Sequence, residues 1–313
     1  MPDNLVFAGT PGFALVCLEA LVRQDMAPVL VLTQPDRRSG RGRKLSVNPV
    51  KRYASSQGIP LWQPETLATP EVASKLAQLG TDAIIVAAYG LMFPPAILGL
   101  PRAGCVNVHA SLLPRWRGAA PVQAAILHGD RKTGVSLMRM EEGLDTGPVY
   151  VSESLVIGQM ETAGLLQDRL AALGGELLVR HLPAILAGGI RPVGQDEQFA
   201  TYARRISTAD ARLDWRAAAL QLVRCVRAYN PAPGAWFTLD DERIKCWSAE
   251  VLADAGDAAA AAGTVLAAGR YGIDVACGDG AIRLLKLQRP GRGRISASEF
   301  SAQRALSGKL LPL

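Results

Sequence analysis

A chain of 313 residues exceeds what one compact domain usually needs, so two domains are expected, and a hydrophobic content of 49% excludes disorder over any long span. The formal net charge of +6 leans toward a polyanionic partner. Five widely spaced cysteines without a CxxC pair exclude a disulfide framework and a thiolate metal site. Met1-Pro2-Asp3-Asn4 lacks the basic segment of a signal peptide, and the longest apolar stretch, residues 83–100, is broken by Gly90 and Pro94-Pro95. A soluble cytoplasmic protein without a membrane span is expected.

Apolar runs at residues 5–8, 29–33, 83–88 and 105–109 read as strands, with helical patterns such as 13–23 and 70–78 between them. Near-continuous apolar strands alternating with helices predict a parallel sheet covered on both faces. Gly9-Thr10-Pro11-Gly12 fills the first strand-to-helix turn and is not GxGxxG, a poor match to a nicotinamide site. Pro121 starts a helix closed by Gly129, and residues 135–140 return as a strand. Thr162 is placed to cap a helix whose leucines at 165, 166, 170, 173, 177 and 178 form an apolar stripe. Gly174-Gly175 is expected to weaken or bend that helix, and Gly188-Gly189 to end it. An irregular link then runs to about Ile206.

Beyond Ile206 the pattern changes. A helix over 215–227 precedes the turn-rich Asn230-Pro231-Ala232-Pro233-Gly234. Five short strand-like pieces follow, at 235–239, 243–250, 263–268, 272–276 and 281–288, enough for a small barrel. Residues 254–262 form an alanine-rich loop. The expected fold is α/β: a Rossmann-like, mostly parallel sheet domain over 1–189, a linker over 190–206, and a small β-barrel domain over 207–313.

Asn107 and His109 are two apart at the end of a β-branched run, so they share one face of a strand. Asp145 lies between Gly143 and Gly147, in a loop able to bend toward a site. Amide, imidazole and carboxylate together can polarise a carbonyl, hold an oxyanion and move a proton during acyl transfer. Read singly, each has a plainer role: a hydrogen-bonded core histidine, a turn asparagine, an Asx turn. The other two histidines, His128 and His181, fall in helical patterns.

Two basic runs stand out. Arg37, Arg38, Arg41, Arg43, Lys44, Lys51 and Arg52 crowd one glycine-containing stretch, and Arg283, Lys286, Arg289, Arg292 and Arg294 crowd the end of the barrel. A single such run is often only solvated loop charge. Two, one per domain, fit a phosphate backbone better.

The ordered motifs Phe7-Ala8-Gly9-Thr10-Pro11, Gln34-Pro35-Asp36-Arg37, Gly40-Arg41-Gly42, Ala88-Tyr89-Gly90-Leu91, Asn107–Pro114 with Arg115-Trp116-Arg117-Gly118-Ala119-Ala120-Pro121, and Gly143-Leu144-Asp145-Thr146-Gly147 resemble the formyltransferase family that uses 10-formyltetrahydrofolate. The resemblance is to its branch acting on methionyl initiator tRNA. Ala211-Arg212-Leu213-Asp214-Trp215 and residues 227–236 resemble the family's second domain, so coverage is nearly full length. Val16, Val47-Asn48 and Ala232 depart from common family residues, which touches packing and loop shape. The resemblance implies an OB-like barrel and a catalytic set of Asn107, His109 and Asp145. It implies folate bound along Tyr89, Gly90 and Leu91 and along Ser111, Leu112, Leu113 and Pro114. It also implies tRNA contacts by Arg41, Arg43 and Lys44 in the loop and by Arg289, Arg292 and Arg294 on the barrel. No metal is required, and a monomer is expected. The runner-up is an amino-sugar nucleotide N-formyltransferase of the same fold, against which the long basic loop argues.

Overall fold

The computed structural model describes residues 4–39, 44–253, 260–302 and 304–312. Arg41, Arg43 and most of the alanine-rich loop lie outside the described residues. Two units are resolved: Met1–Pro121, Lys132–Val156 and Gln167–Ala203 form the first, and Val122–Arg131, Ile157–Leu166 and Arg204–Leu313 the second.

In chain order the elements up to the second sheet are β1 (Leu5–Gly9), α1 (Gly12–Arg23), β2 (Leu30–Leu32), β3 (Arg37–Ser39), β4 (Lys44–Ser46), α2 (Pro49–Ser56), β5 (Leu61–Trp62), α3 (Pro70–Gln78), β6 (Ala83–Ala87), α4 (Pro95–Leu98), β7 (Cys105–His109), β8 (Arg117–Gly118), α5 (Pro121–Leu127), β9 (Lys132–Arg139), β10 (Val149–Val156), α6 (Ala163–Leu186) and β11 (Tyr202–Ala203). The main sheet has the order β10-β9-β7-β6-β1-β2-β5. Pairings from β5 to β7 are parallel, and β9 and β10 are added antiparallel. Every residue of β1, β6 and β7 is buried, as strands covered on both faces must be. The chain leaves β1 toward β2 and returns on its other side at β6. That reversal opens a crevice at the carboxyl ends of β1 and β6, where ligands of open α/β sheets sit.

α6 runs unbroken through Gly174-Gly175, contrary to the bend expected there. The glycines serve close approach: a Cβ on Gly174 would lie 3.0 Å from Val108 Cγ1, and one on Gly175 3.1 Å from Ala20 Cβ. They let the helix lie against β7 and α1, and the packing contact outweighs their poor helix propensity. Thr162 caps the helix as the sequence suggested, its Oγ1 accepting from Leu165 N–H at 3.4 Å.

The second unit holds α7 (Ala219–Ala228), β12 (Ala235–Leu239), β13 (Glu242–Val251), β14 (Val265–Gly269), β15 (Gly272–Ala276), β16 (Ala281–Gln288), β17 (Arg294–Ser296) and α8 (Ala297–Ser301). Its strands form an antiparallel sheet ordered β12-β13-β16-β15-β14, with β17 also on β16. Among the described residues the sheet does not close into the expected barrel, because both edges are occupied. Leu213 N–H donates to Trp236 O at 2.8 Å along β12, and Val265 N–H to Lys309 O at 2.8 Å along β14. The helix expected from Trp215 starts only at Ala219. Trp215 is instead wholly buried in the unit's core, its ring edge-on to Phe237 at 5.5 Å.

All five cysteines are free thiols. Burial pushes Cys17, Cys105 and Cys246 up to about 12, and Cys225 and Cys277 to about 11. At pH 8 the folded protein is therefore expected to react with a thiol reagent far more slowly than the same protein in denaturant. Rapid modification of any thiol in the native state would contradict that burial. Among the described residues no helix is long and apolar enough to cross a membrane.

Candidate active site

β7 delivers the two side chains that its alternation places on one face. Val108, between them, points the other way toward Gly174 of α6, while Asn107 and His109 are only 8% and 6% exposed. Asp145 comes back over this face from the loop after β9. Its Oδ1 accepts from Asn107 Nδ2 at 3.5 Å and its Oδ2 from the Gly118 N–H at 2.8 Å. His109 Nδ1 is 3.7 Å from Asp145 Oδ2, and Nε2 is 3.1 Å from Trp116 O. A carbonyl only accepts, so Nε2 carries the hydrogen and Nδ1 is the nitrogen turned to the carboxylate.

Local backbone makes this possible. Asp145 has φ 54°, a left-handed conformation that aspartate tolerates better than most residues and that turns its carboxylate inward. Gly118 has φ 114°, and a Cβ there would meet Ala203 O at 2.7 Å, so only glycine can bring its N–H to Asp145. His128 Nδ1 is hydrogen-bonded to Ala124 O at 3.0 Å, and His181 sits on α6. Asn107 is thus a nearly buried amide whose N–H groups have one long contact. It sits beside an imidazole and a carboxylate, a set able to hold charge growing on a carbonyl oxygen and to relay a proton. Among the described residues no group of three or more metal-ligating side chains is present.

The formyl transferase model matches residues 4–182, and the formyl transferase C-terminal domain matches residues 205–305. The chain belongs to the formyl transferase family. The methionyl-tRNA formyltransferase of Methylococcus capsulatus is 50% identical over 308 residues, covering 98% of this chain and 99% of its own. That of Stenotrophomonas maltophilia is 52% identical over 300 residues, covering 95% and 96%. Among solved structures, WlaRD, a sugar 3N-formyl transferase crystallised with dTDP and 5-N-formyl-THF, superposes with a TM-score of 0.66 at 15% identity. The match covers 94% of this chain and all of that one. That likeness is one of fold.

The other residues to which the sequence assigned a site role are placed separately from this trio. Tyr89 is 2% exposed, its ring edge-on to Phe93 at 6.0 Å and packed in the core. Its carbonyl accepts from Gln34 Nε2 at 2.9 Å and from Thr10 Oγ1 at 3.4 Å. Ala88 and Gly90 flank it with φ 45° and 80°, both exposed, and Leu91 is half-buried. Ser111 is buried with its hydroxyl on Arg115 O at 2.6 Å, while Leu112, Leu113 and Pro114 are half-buried. Lys44 lies in β4, paired with β3, and its side chain is outside the described residues. Arg289 is held bidentately by Glu242, at 2.9 and 2.6 Å. Arg292 is exposed, and Arg294 lies 3.6 Å over the Trp247 ring. A separate cavity of about 650 Å³ opens at the amino-terminal end of β7, lined by Arg102, Gly104, Arg139, Tyr150 and Arg191 among others. None of Asn107, His109 or Asp145 lines it.

Sequence reasoning missed the residues that hold this site from outside. The segment expected to be an irregular link lies along residues 114–119. β11 pairs in parallel with β8, Trp116 N–H donates to Thr201 Oγ1 at 2.9 Å, and Arg117 N–H to Thr201 O at 2.8 Å. Arg117, wholly buried, forms a bidentate pair with Glu197 at 2.9 and 2.7 Å. That pairing holds the Glu197 carboxyl below its usual range, so the pair persists above that range and is lost only as pH falls through the lowered value. No local signal marks Glu197 or Gln195: Gln195 lies outside any helix or strand, and Glu197 opens a single 3-10 turn, Glu197–Phe199, too short to carry a period.

Proposed function

We propose that the chain transfers the formyl group of 10-formyltetrahydrofolate to the α-amino group of methionyl initiator tRNA. The observation that carries this is near-complete coverage at about 50% identity by relatives named methionyl-tRNA formyltransferase. The sugar formyltransferase shares only 15%. The folate fits the crevice at the carboxyl ends of β1 and β6, held by backbone groups of Tyr89, Gly90 and Leu91 and of Ser111 to Pro114. When bound, it supplies the activated formyl group.

Asn107 Nδ2 has N–H to spare and donates to the formyl oxygen as charge grows there. A preorganised donor of this kind is worth roughly 10²–10³ in rate. His109 Nδ1 and the Asp145 carboxylate take the proton released as the amine bonds to the formyl carbon and pass it to the folate nitrogen as the bond from that nitrogen to the formyl carbon breaks, with Trp116 O keeping the imidazole in register. Charge guides the tRNA. Arg41, Arg43 and Lys44 of the β3–β4 segment engage its acceptor end, and Arg292 and Arg294 take phosphates on the second unit. Arg289, neutralised by Glu242, contributes mainly by shaping that edge. The chain acts as a cytoplasmic monomer, organised as a catalytic domain over 1–189, a connecting segment over 190–206 whose part up to Ala203 belongs to the first unit, and a tRNA-binding domain over 207–313.

The test is formyl transfer from 10-formyltetrahydrofolate to methionyl initiator tRNA, methionyl elongator tRNA and a nucleotide-linked amino sugar. Strong preference for the initiator is expected, and turnover of the sugar alone would overturn the assignment. Arg41→Ala is expected to lower kcat/KM for the tRNA by about 10-fold or more through loss of a charged phosphate contact, with the folate KM unchanged. Equal kcat/KM values for variant and parent would remove Arg41 from the interface.

A further inference from the structure

Asp145 is pinned from behind as well as from the site. Both the Asp145 and the Gly147 carbonyls accept from the same side-chain amide, Gln195 Nε2, at 2.8 and 2.7 Å. The amide's Oε1 accepts from Arg117 Nε at 3.0 Å. The far edge of that guanidinium is locked by Glu197, with Tyr202 Oη at 3.3 Å from Nη1. The next residue, Gly118, donates its N–H to the Asp145 carboxylate, and the preceding one, Trp116, presents its carbonyl to His109. A closed ring of hydrogen bonds therefore runs from the Asp145 carboxylate through Gly118 and Arg117 to Gln195 and back to the Asp145 carbonyl.

That ring matters because Asp145 sits in a left-handed conformation, which an unsupported loop would leave readily. Both N–H groups of Gln195 are spent on the two carbonyls that bracket Thr146. The buried Arg117 cannot move to follow the loop, since Glu197 holds its two terminal nitrogens. From this we infer that Gln195 is a positioning residue for formyl transfer, acting through Asp145. It holds the loop backbone so that the carboxylate meets Asn107 and His109, with Arg117 and Glu197 as its fixed anchor. The inference rests on the catalytic role proposed for Asp145.

The test compares Gln195→Ala, Gln195→Glu, Asp145→Ala and the double variant Gln195→Ala/Asp145→Ala in the full-length protein. Gln195→Glu keeps the size and the Arg117 contact but removes both N–H donors, so it isolates the positioning bond. Misplacing a catalytic group by about 1 Å can cost ~10²-fold, and a fall in kcat of about that size is expected for each Gln195 variant. KM for tRNA and folate and the melting temperature should stay near parental values. The decisive readout is non-additivity: the double variant should be no slower than Asp145→Ala. Independent, multiplying losses, or parental turnover in Gln195→Glu, would overturn the positioning role. Parental turnover in Asp145→Ala would instead sink the catalytic reading beneath it, so the two failures are separable.

Discussion

Asn107→Ala is expected to lower kcat by ~10²–10³-fold while leaving tRNA affinity nearly unchanged. The amide lies on the face of β7 turned to the Asp145 loop, 8% exposed, with one contact of 3.5 Å from its Nδ2. Truncation removes a donor and little packing, because the neighbouring Val106 and Val108 keep the strand buried. The loss should therefore fall on the chemical step and not on folding. Single-turnover formylation at saturating donor, with melting temperature measured alongside, checks both halves. Turnover within threefold of the parent would take Asn107 out of the mechanism. His109→Ala is expected to follow the same pattern, since its ring is held between Trp116 O and Asp145 without contributing to any periodic core.

Trp215→Ala is expected to destabilise the second unit by roughly 3–5 kcal/mol, the usual cost of truncating a buried aromatic. The ring is fully buried, edge-on to Phe237, and packed so closely that a Cβ on Gly263 would lie 3.3 Å from it. Its indole nitrogen has no hydrogen-bond partner, so Trp215→Phe loses volume but no polar contact and should cost markedly less. Urea denaturation followed by circular dichroism distinguishes the two. Equal midpoints for the alanine and parent proteins would show that the core does not depend on this ring. Because Arg294 is displayed on Trp247 of the same sheet, tRNA affinity should fall with stability in Trp215→Ala.

Much of the fold was legible because burial imposes a period. β1, β6 and β7 are unbroken apolar runs, as strands covered on both faces must be, and α3 spans the nine residues its pattern predicts. β10 was not foreseen: it is an edge strand with half-exposed and exposed residues throughout, so its apolar signal is faint. α6 was expected to falter at Gly174-Gly175, because propensity is local while the close approach that favours glycine is not. In the second unit strand positions were readable, yet their closure was not, since edge coverage comes from segments 212–213 and 308–311 that have no strand pattern of their own.

The sequence by itself determined that Asn107 and His109 share a face, since a strand alternates with period two. Its motifs also determined the family. Tertiary structure alone decided that Asp145 meets that pair and that Gln195, fifty residues further on, holds it there. It also decided that Trp116 O and Gly118 N–H take the imidazole and the carboxylate. The physical reason is common to all of these. Periodicity records which side of an element is buried, whereas hydrogen bonds between irregular segments depend on backbone groups that every residue carries and no side-chain pattern encodes.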